Sequence, residues 1–380
     1  MARTAQVDQG YSLKDELFNA TKIEGLAALF APHAPGFSAA GFTGDVMSRM
    51  LDLELKARIS WIADCLQRHV PGDLHTIAPV LRAALPPPLD PTLTDDDFGD
   101  FIYAPLGEWV TDLVTEDSRD LGLDLLEEIT QRFSMEWALR PFLLNWPEET
   151  LARVADWCAH DNYHIRRLAS EGTRPRLPWG QAVGLPFDAT LPVLARLYGD
   201  RTRYVTRSVA NHLNDIAKKD AELVVDTLTA WQAQGQQAEK EMAWITAHAL
   251  RGLVKAGHPG ALALLGYDPD MDVDVRLSCP ASAVIGEKLA FSCDIQGATG
   301  AGVLVDYRIT FCRPGGKSSV KVYKLKQAKI GTSGLTLSKA HGLKANASTF
   351  TLVPGAHLLE VMVNGRVRAQ ATFDLVEDAD

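Results

Sequence analysis

No apolar run in this 380-residue chain reaches the roughly eighteen residues a membrane helix needs, so a transmembrane role is not expected. Residues 1–10 lack the apolar core of a secretory signal. Cysteine is scarce. The five thiols, Cys65, Cys158, Cys279, Cys293 and Cys312, are scattered and odd in number. They show neither a zinc spacing nor a disulfide framework. A cytoplasmic protein with reduced thiols, and without metal or cofactor, is the expectation. Excess positive charge is missing too. The net charge of −10 speaks against a generally sticky nucleic-acid binder. Acid, in turn, is missing locally. Residues 307–359 contain none, yet carry Arg308, Arg313, Lys317, Lys321, Lys324, Lys326, Lys329, Lys339 and Lys344. A second basic concentration runs from Arg166 through Arg207 to Lys219, while Asp95, Asp96 and Asp97 form an acidic run. This uneven distribution keeps a local polyanion site open.

What is present is an ordinary globular composition, 46% hydrophobic and 23% charged, on a chain long enough for two or three domains. Residues 13–266 read as helices, with apolar residues recurring at three and four in 50–59, 121–133 and 191–198. The prolines at 86–88, with the acids after them, break the series as a loop. A repeat of forty residues aligns 165–171, 205–211 and 245–251, each starting on an isoleucine or valine. That period suggests paired, HEAT-like helices stacked in a solenoid. Arg203, Arg207, Asn211 and Asp215 form one polar stripe, and Arg167 and Glu171 hold the matching positions one unit earlier. A stripe of this kind fits a solvated face as well as a binding face. After Tyr267 the pattern alternates, and Asn364-Gly365 signals a tight hairpin. About seven short strands without the usual disulfide suggest an immunoglobulin-like β-sandwich. The expected architecture is therefore mainly α: a HEAT-like helical-repeat solenoid over 1–267, then a small all-β immunoglobulin-like sandwich over 268–380.

Residues 166–180 are the most informative stretch. Arg166, Arg167, Arg174 and Arg176 surround Glu171, and Trp179 follows. Gly172 is the expected residue for a left-handed helix end. Glu171 then lies in the last turn, where a carboxylate is unfavourable by roughly 0.3–1 kcal/mol. Its partner Arg167 stands in the weaker i,i+4 orientation. Local stability does not explain Glu171, which leaves function or a long-range salt bridge. Pro175 and Pro178 make the next segment extended, so that Arg176 and Trp179 share a face. Cation and indole together suit a phosphate and a sugar or base edge. A second constellation pairs Glu136 with Arg140 four residues later, near a helix entrance at Ser134, and reads equally as an ordinary surface pair.

Residues 134–142, 166–180 and 208–218, in that order, resemble the AlkC branch of the AlkC/AlkD bacterial DNA glycosylases, and 53–58 is similar as well. The resemblance covers residues 10–265. It implies a DNA glycosylase of base excision repair, excising cationic alkylated bases such as 3-methylcytosine and 3-methyladenine from double-stranded DNA. It maps the family's glutamates to Glu136 and Glu171, the aromatic to Trp179, and an Asn-Asp pair to Asn214 and Asp215. A cationic base is already a good leaving group, so the carboxylates need only stabilise the sugar cation and place a water. On this reading Arg166, Arg167, Arg174 and Arg176 grip phosphates, joined by Arg140, Arg207, Asn211, Asn214 and Lys218. Lys321, Lys324 and Lys326 form a second DNA contact on the sandwich, or else protect an edge strand. No metal ligand cluster is present, and a monomer acting on duplex DNA is expected. The competing expectation is a non-enzymatic HEAT-repeat scaffold that binds nucleic acid or protein.

Overall fold

The computed structural model describes residues 12–95, 98–178, 180–345 and 351–377. They form two compact units, Met1–Asp215 and Ile216–Asp380. Helices run from Leu13–Leu17 to Pro259–Leu264, and strands follow from Val273–Ser278 onward. The architecture is a helical-repeat region followed by an immunoglobulin-like β-sandwich.

The forty-residue period is physical. Each aligned segment starts on the second helix of a pair: Tyr163–Gly172 after Pro147–Trp157, Arg203–Ile216 after Phe187–Leu197, and Glu239–Ala249 after Ala221–Gln234, the third segment running on into Arg251–Ala256. Ile165, Val205 and Ile245 are all fully buried, which is why the first apolar position repeats. In the first unit, helix Tyr163–Gly172 packs on Pro147–Trp157, Phe187–Leu197 and Arg119–Thr130.

The periodic run at 50–59 is not one helix. Ala39–Met50 stops and Leu55–His69 begins, with a turn between. The fully buried Arg58 stabilises that break. Its guanidinium donates to the carbonyls of Leu51, Leu53, Lys14 and Phe18 at 2.9–3.3 Å and to Asp15 at 2.6 Å. Five donors in a rigid fork can satisfy several exposed carbonyls at once. The loop after Leu74–Ala84 is likewise tied down, because Arg132 donates to the Pro86 carbonyl at 2.7 Å. The acid run begins on this loop. Asp95 pairs with Arg207, while Asp96 and Asp97 lie outside the described residues.

The second unit holds eight strands among the described residues, one more than the sequence pattern suggests: β1 Val273–Ser278, β2 Ser282–Val284, β3 Lys288–Gly297, β4 Gly302–Cys312, β5 Ser318–Lys329, β6 Leu335–Gly342, β7 Gly355–Val363 and β8 Arg366–Val376. One sheet has the order β1-β3-β6 and the other β2-β8-β7-β4-β5. Phe291, Tyr307, Ile309, Phe311, Leu359 and Phe373 fill the core between them. All five cysteines are free thiols.

The Asn364-Gly365 hairpin forms as read, both residues at positive φ (48° and 78°). Asn364 also accepts from the Leu304 amide at 2.8 Å and donates to the Asp268 carbonyl at 2.9 Å. A β-carbon on Gly365 would come within 2.7 Å of the Gly257 Cα. Gly365→Ala therefore adds left-handed strain and a backbone clash. It should lower the unfolding free energy by about 1–3 kcal/mol. Urea denaturation checks this, and a loss below about 0.5 kcal/mol, the range of neutral surface changes, contradicts it.

Candidate active site

Helix Tyr163–Gly172 begins at Asn162, whose side chain accepts the His164 amide at 2.8 Å. All ten of its residues are buried, the polar ones included. Buried polar groups must find partners, so each charged side chain here has a defined destination. Gly172 does not adopt a left-handed turn. It is packed closely instead, since a β-carbon there would sit 2.5 Å from Leu139 Cδ2 and the leucine would have to shift.

The arginines part company. Arg166 donates to Asp200 at 2.5 and 3.3 Å, and to the carbonyls of His160 and Asp161 at 2.8 Å each. Its donors are occupied inside the protein, which corrects the expectation that it grips phosphate. Arg140 is corrected as well. It is 0% exposed and makes no surface pair with Glu136. Its three guanidinium nitrogens have no hydrogen-bond partner among the described residues.

Arg167 and Arg174 build the site. Arg167 donates to Ser134 Oγ at 2.6 Å and lies 3.5 Å from Glu136 and 3.8 Å from Glu171. Its guanidinium sits over the Tyr204 ring, 4.5 Å from the centroid. Arg174 donates to Glu171 Oε1 at 2.5 Å and to Asp215 Oδ2 at 2.7 and 2.9 Å. The other Glu171 oxygen accepts from Ser208 Oγ at 2.6 Å. Glu136, Glu171 and Asp215, distant in sequence, are thus linked through two guanidinium groups. Glu136 stands on a turn before helix Leu139–Asn145, and its Oε2, 3.5 Å from the Arg167 guanidinium, accepts no hydrogen bond among the described residues.

Electrostatics follow from this packing. Burial alone would raise the Glu171 carboxyl. The charges of Arg167 and Arg174, with the Ser208 and Arg174 hydrogen bonds, outweigh burial and hold it below the usual range. Burial pushes His212 down to about 4, so it is neutral at pH 7, and its Nδ1 lies 3.1 Å from the Ser170 carbonyl oxygen. His164 is likewise pushed down to about 4 by burial and by Arg167.

A family model for the C-terminal Ig-like domain of the uncharacterised protein YhaZ matches residues 274–377. The chain is 37% identical to YhaZ of Bacillus subtilis (strain 168) over 260 residues, 67% of this chain and 71% of that protein. It is also similar to the solved structure of Pseudomonas fluorescens alkylpurine DNA glycosylase AlkC bound to DNA containing an abasic site analog. There the TM-score is 0.82 at 29% identity, covering 96% of this chain and 100% of the other. The chain belongs to the AlkC-type family, together with YhaZ.

In this AlkC-type protein the remaining expected residues are spread more widely. Arg176 is exposed, Arg207 and Asn211 are half-buried, and Asn214 is buried. Lys218 is exposed in the second unit. Trp179 lies outside the described residues. On the edge strand β5, Lys321 and Lys326 pair with the inward-facing Ile309 and Val305, whereas Lys324 pairs with Asp306 on the other face. The three lysines therefore do not line one face. Sequence reasoning gave no site role to Ser208, Tyr204 and Asp200, and read Ser134 as a helix entrance, whereas the helix starts at Leu139 and Ser134 accepts from Arg167. Ser208, which donates to Glu171 Oε2 at 2.6 Å, stands thirty-seven positions after it, and the only signal for it was its place at the head of the family-like segment 208–218.

Glu171 has a lowered pKa in the folded state, so it contributes stability above its unfolded value of about 4.3 and loses it as pH falls through the folded value. The stability deficit of Glu171→Gln should be constant from pH 7 to about 5 and shrink below about 4. Urea unfolding across that range measures it. A deficit that grows on acidification contradicts the assignment.

Proposed function

We propose that this protein is a monofunctional DNA glycosylase that hydrolyses the N-glycosidic bond of cationic alkylated bases, 3-methylcytosine and 3-methyladenine, in double-stranded DNA. The observation that carries the reading is a buried carboxylate, Glu171, held ionised at the meeting point of two arginines that also bind Glu136 and Asp215. The likeness to an alkylpurine DNA glycosylase bound to abasic-site DNA supports it.

The chemistry asks little of an acid. The electrons of the glycosidic bond pass to the base and neutralise its positive charge, so no proton need be supplied. The sugar is left as a cation, which a fixed carboxylate stabilises in a site of low dielectric. Both Glu171 oxygens already accept hydrogen bonds, one from Arg174 and one from Ser208, which suits an electrostatic role. Glu136 Oε2 has no hydrogen-bond partner among the described residues and takes the proton of the attacking water. The oxygen of that water joins C1′ and leaves an abasic site. Asp215 completes the negative face. Arg174, Arg176, Arg207, Asn211, Asn214 and Lys218 hold the strand beside it, with residues 1–267 as the catalytic part. The sandwich, residues 268–380, is an accessory contact through Lys321, Lys324 and Lys326. Among the described residues no helix is long and apolar enough to cross a membrane.

A duplex with a single 3-methylcytosine or 3-methyladenine should acquire an abasic site on incubation with the protein. Glu171→Gln and Glu136→Gln should each slow release by about 100- to 1,000-fold. No release from either duplex sinks the activity, whereas full activity in both variants sinks the assignment of roles. Replacing Lys321, Lys324 and Lys326 by glutamine should lower the salt dependence of duplex binding by about 1–2 units of slope, since the three do not share a face and at most two reach phosphates together. An unchanged slope removes the accessory contact.

A further inference from the structure

The second unit holds a buried carboxylate that has no task in the scheme above. On β4 the neighbours Val305 and Tyr307 point into the sandwich core, so Asp306, like Leu304, faces the other side of the five-stranded sheet. Asp306 is only 5% exposed. Lys324 stands opposite it on β5, yet donates to Gln327 at 3.3 Å instead. The Asp306 carboxylate accepts no hydrogen bond and forms no ion pair among the described residues. Burial raises its pKa above the usual carboxylate range, against the pull of Lys324 and Lys255, as expected of a carboxylate without partners. Keeping such a group from water is destabilising unless something donates to it.

Asp306 lines a cleft of about 380 Å³ whose other wall comes from the helices before the sandwich, through Ala247, Val254, Leu265 and Tyr267. Backbone contacts fix the two walls. A β-carbon on Gly257, at the end of helix Arg251–Ala256, would lie 2.7 Å from the Gly365 carbonyl oxygen, so helix end and β7–β8 hairpin meet through glycines. Asn364 of that hairpin donates to the Asp268 carbonyl at 2.9 Å, one residue past Tyr267. The cleft falls in the range of roughly 300–1,000 Å³ typical of small-molecule sites, and apolar walls with a few convergent polar groups are their usual lining.

The chemistry of the lining selects a ligand. An ionised carboxylate only accepts, through two adjacent oxygens, so it favours a molecule with two adjacent N–H donors. Among the nucleobases guanine alone offers that edge, through N1–H and the N2 amine. Adenine and cytosine place a ring acceptor beside their amine, and thymine and uracil flank a single N–H with carbonyls. Tyr267 supplies an aromatic wall for a base. Arg251 and Lys255 also line the cleft, four residues apart on one helix, and suit a phosphate. Arg251 donates to the His248 carbonyl as well, which orients it. A simple amine would satisfy Asp306 but would be repelled by these cations. We propose that the cleft binds a guanine nucleotide, with the base on Asp306 and the phosphate at Arg251 and Lys255. This goes beyond the glycosylase reading and does not rest on it.

Calorimetric titration of the full chain with the 5′-monophosphates of guanosine, inosine and adenosine tests it. The guanosine nucleotide should bind about 10- to 100-fold more tightly than the inosine nucleotide, which lacks the N2 amine and leaves one carboxylate oxygen unsatisfied. The adenosine nucleotide should bind no better than the inosine one. Asp306→Asn exchanges one acceptor for a donor, so its preference should pass to xanthosine monophosphate, whose C2 carbonyl stands where guanine has the amine. A DNA trinucleotide with a central guanine separates the sources: tighter binding than the free nucleotide assigns the site to an unpaired strand, weaker binding to the free nucleotide. No binding of either guanine ligand at millimolar concentration, equal binding of the guanosine and inosine nucleotides, or an unchanged preference in Asp306→Asn overturns the proposal. Should Asp306→Asn fail to fold, the guanosine-to-inosine ratio of the wild type decides. Absence of base release from alkylated duplexes refutes the glycosylase activity alone, because nucleotide binding is still read.

Discussion

Much of the first unit depends on keeping Glu171 both buried and ionised. Taking a carboxylate out of water costs several kcal/mol, and its attraction to a partner repays this only with good geometry. Here the compensation comes from Arg174, Ser208 and Arg167, which lie on different elements. Helix Tyr163–Gly172, helix Arg203–Ile216, the turn that carries Ser134 and Glu136, and the segment from Arg174 must therefore all hold their places. Hydrophobic residues of equal volume could serve stability as well or better, so stability alone gives no reason for this network. A fixed negative charge in a site of low dielectric gives one.

The same physical rule sorts the arginines. Arg58 and Arg166 are buried and take several backbone carbonyls each, at the turn between Ala39–Met50 and Leu55–His69 and at the start of Tyr163–Gly172. They hold chain ends together. Arg167 and Arg174 bridge carboxylates, and Arg176 is exposed. Proximity in sequence is therefore not proximity in role for Arg166, Arg167, Arg174 and Arg176. Within helix Tyr163–Gly172, Arg166 turns toward Asp200 and its neighbour Arg167 toward Ser134 and the glutamates, because adjacent helical residues face different ways.

The sandwich was the more legible half. Alternation, the Asn-Gly turn and the change of texture near Tyr267 depend on local chemistry, and β4, β7 and the hairpin to β8 fall where that chemistry places them. The lysine-rich stretch was legible as charge but not as a surface. A β-bulge between Val305 and Asp306 alters the register of β5, and Lys324 and Lys326 end on different faces.

The sequence by itself determined the class of each half, the forty-residue helix period, and the identity of Glu136, Glu171 and Asp215 as residues of interest. The first two follow from periodicity and alternation, and the residues of interest from the family resemblance; Glu171 itself proved to be paired locally, with Arg174 three residues on and Arg167 four residues back. Tertiary structure decided which charges meet. It joined Glu171 to Ser208 across thirty-seven residues and to Asp215 through Arg174, withdrew Arg166 and Arg140 from the surface, and gave Gly172 a packing reason in place of a turn. Ionic contacts depend on distance and burial, and neither is encoded in the local pattern of residues.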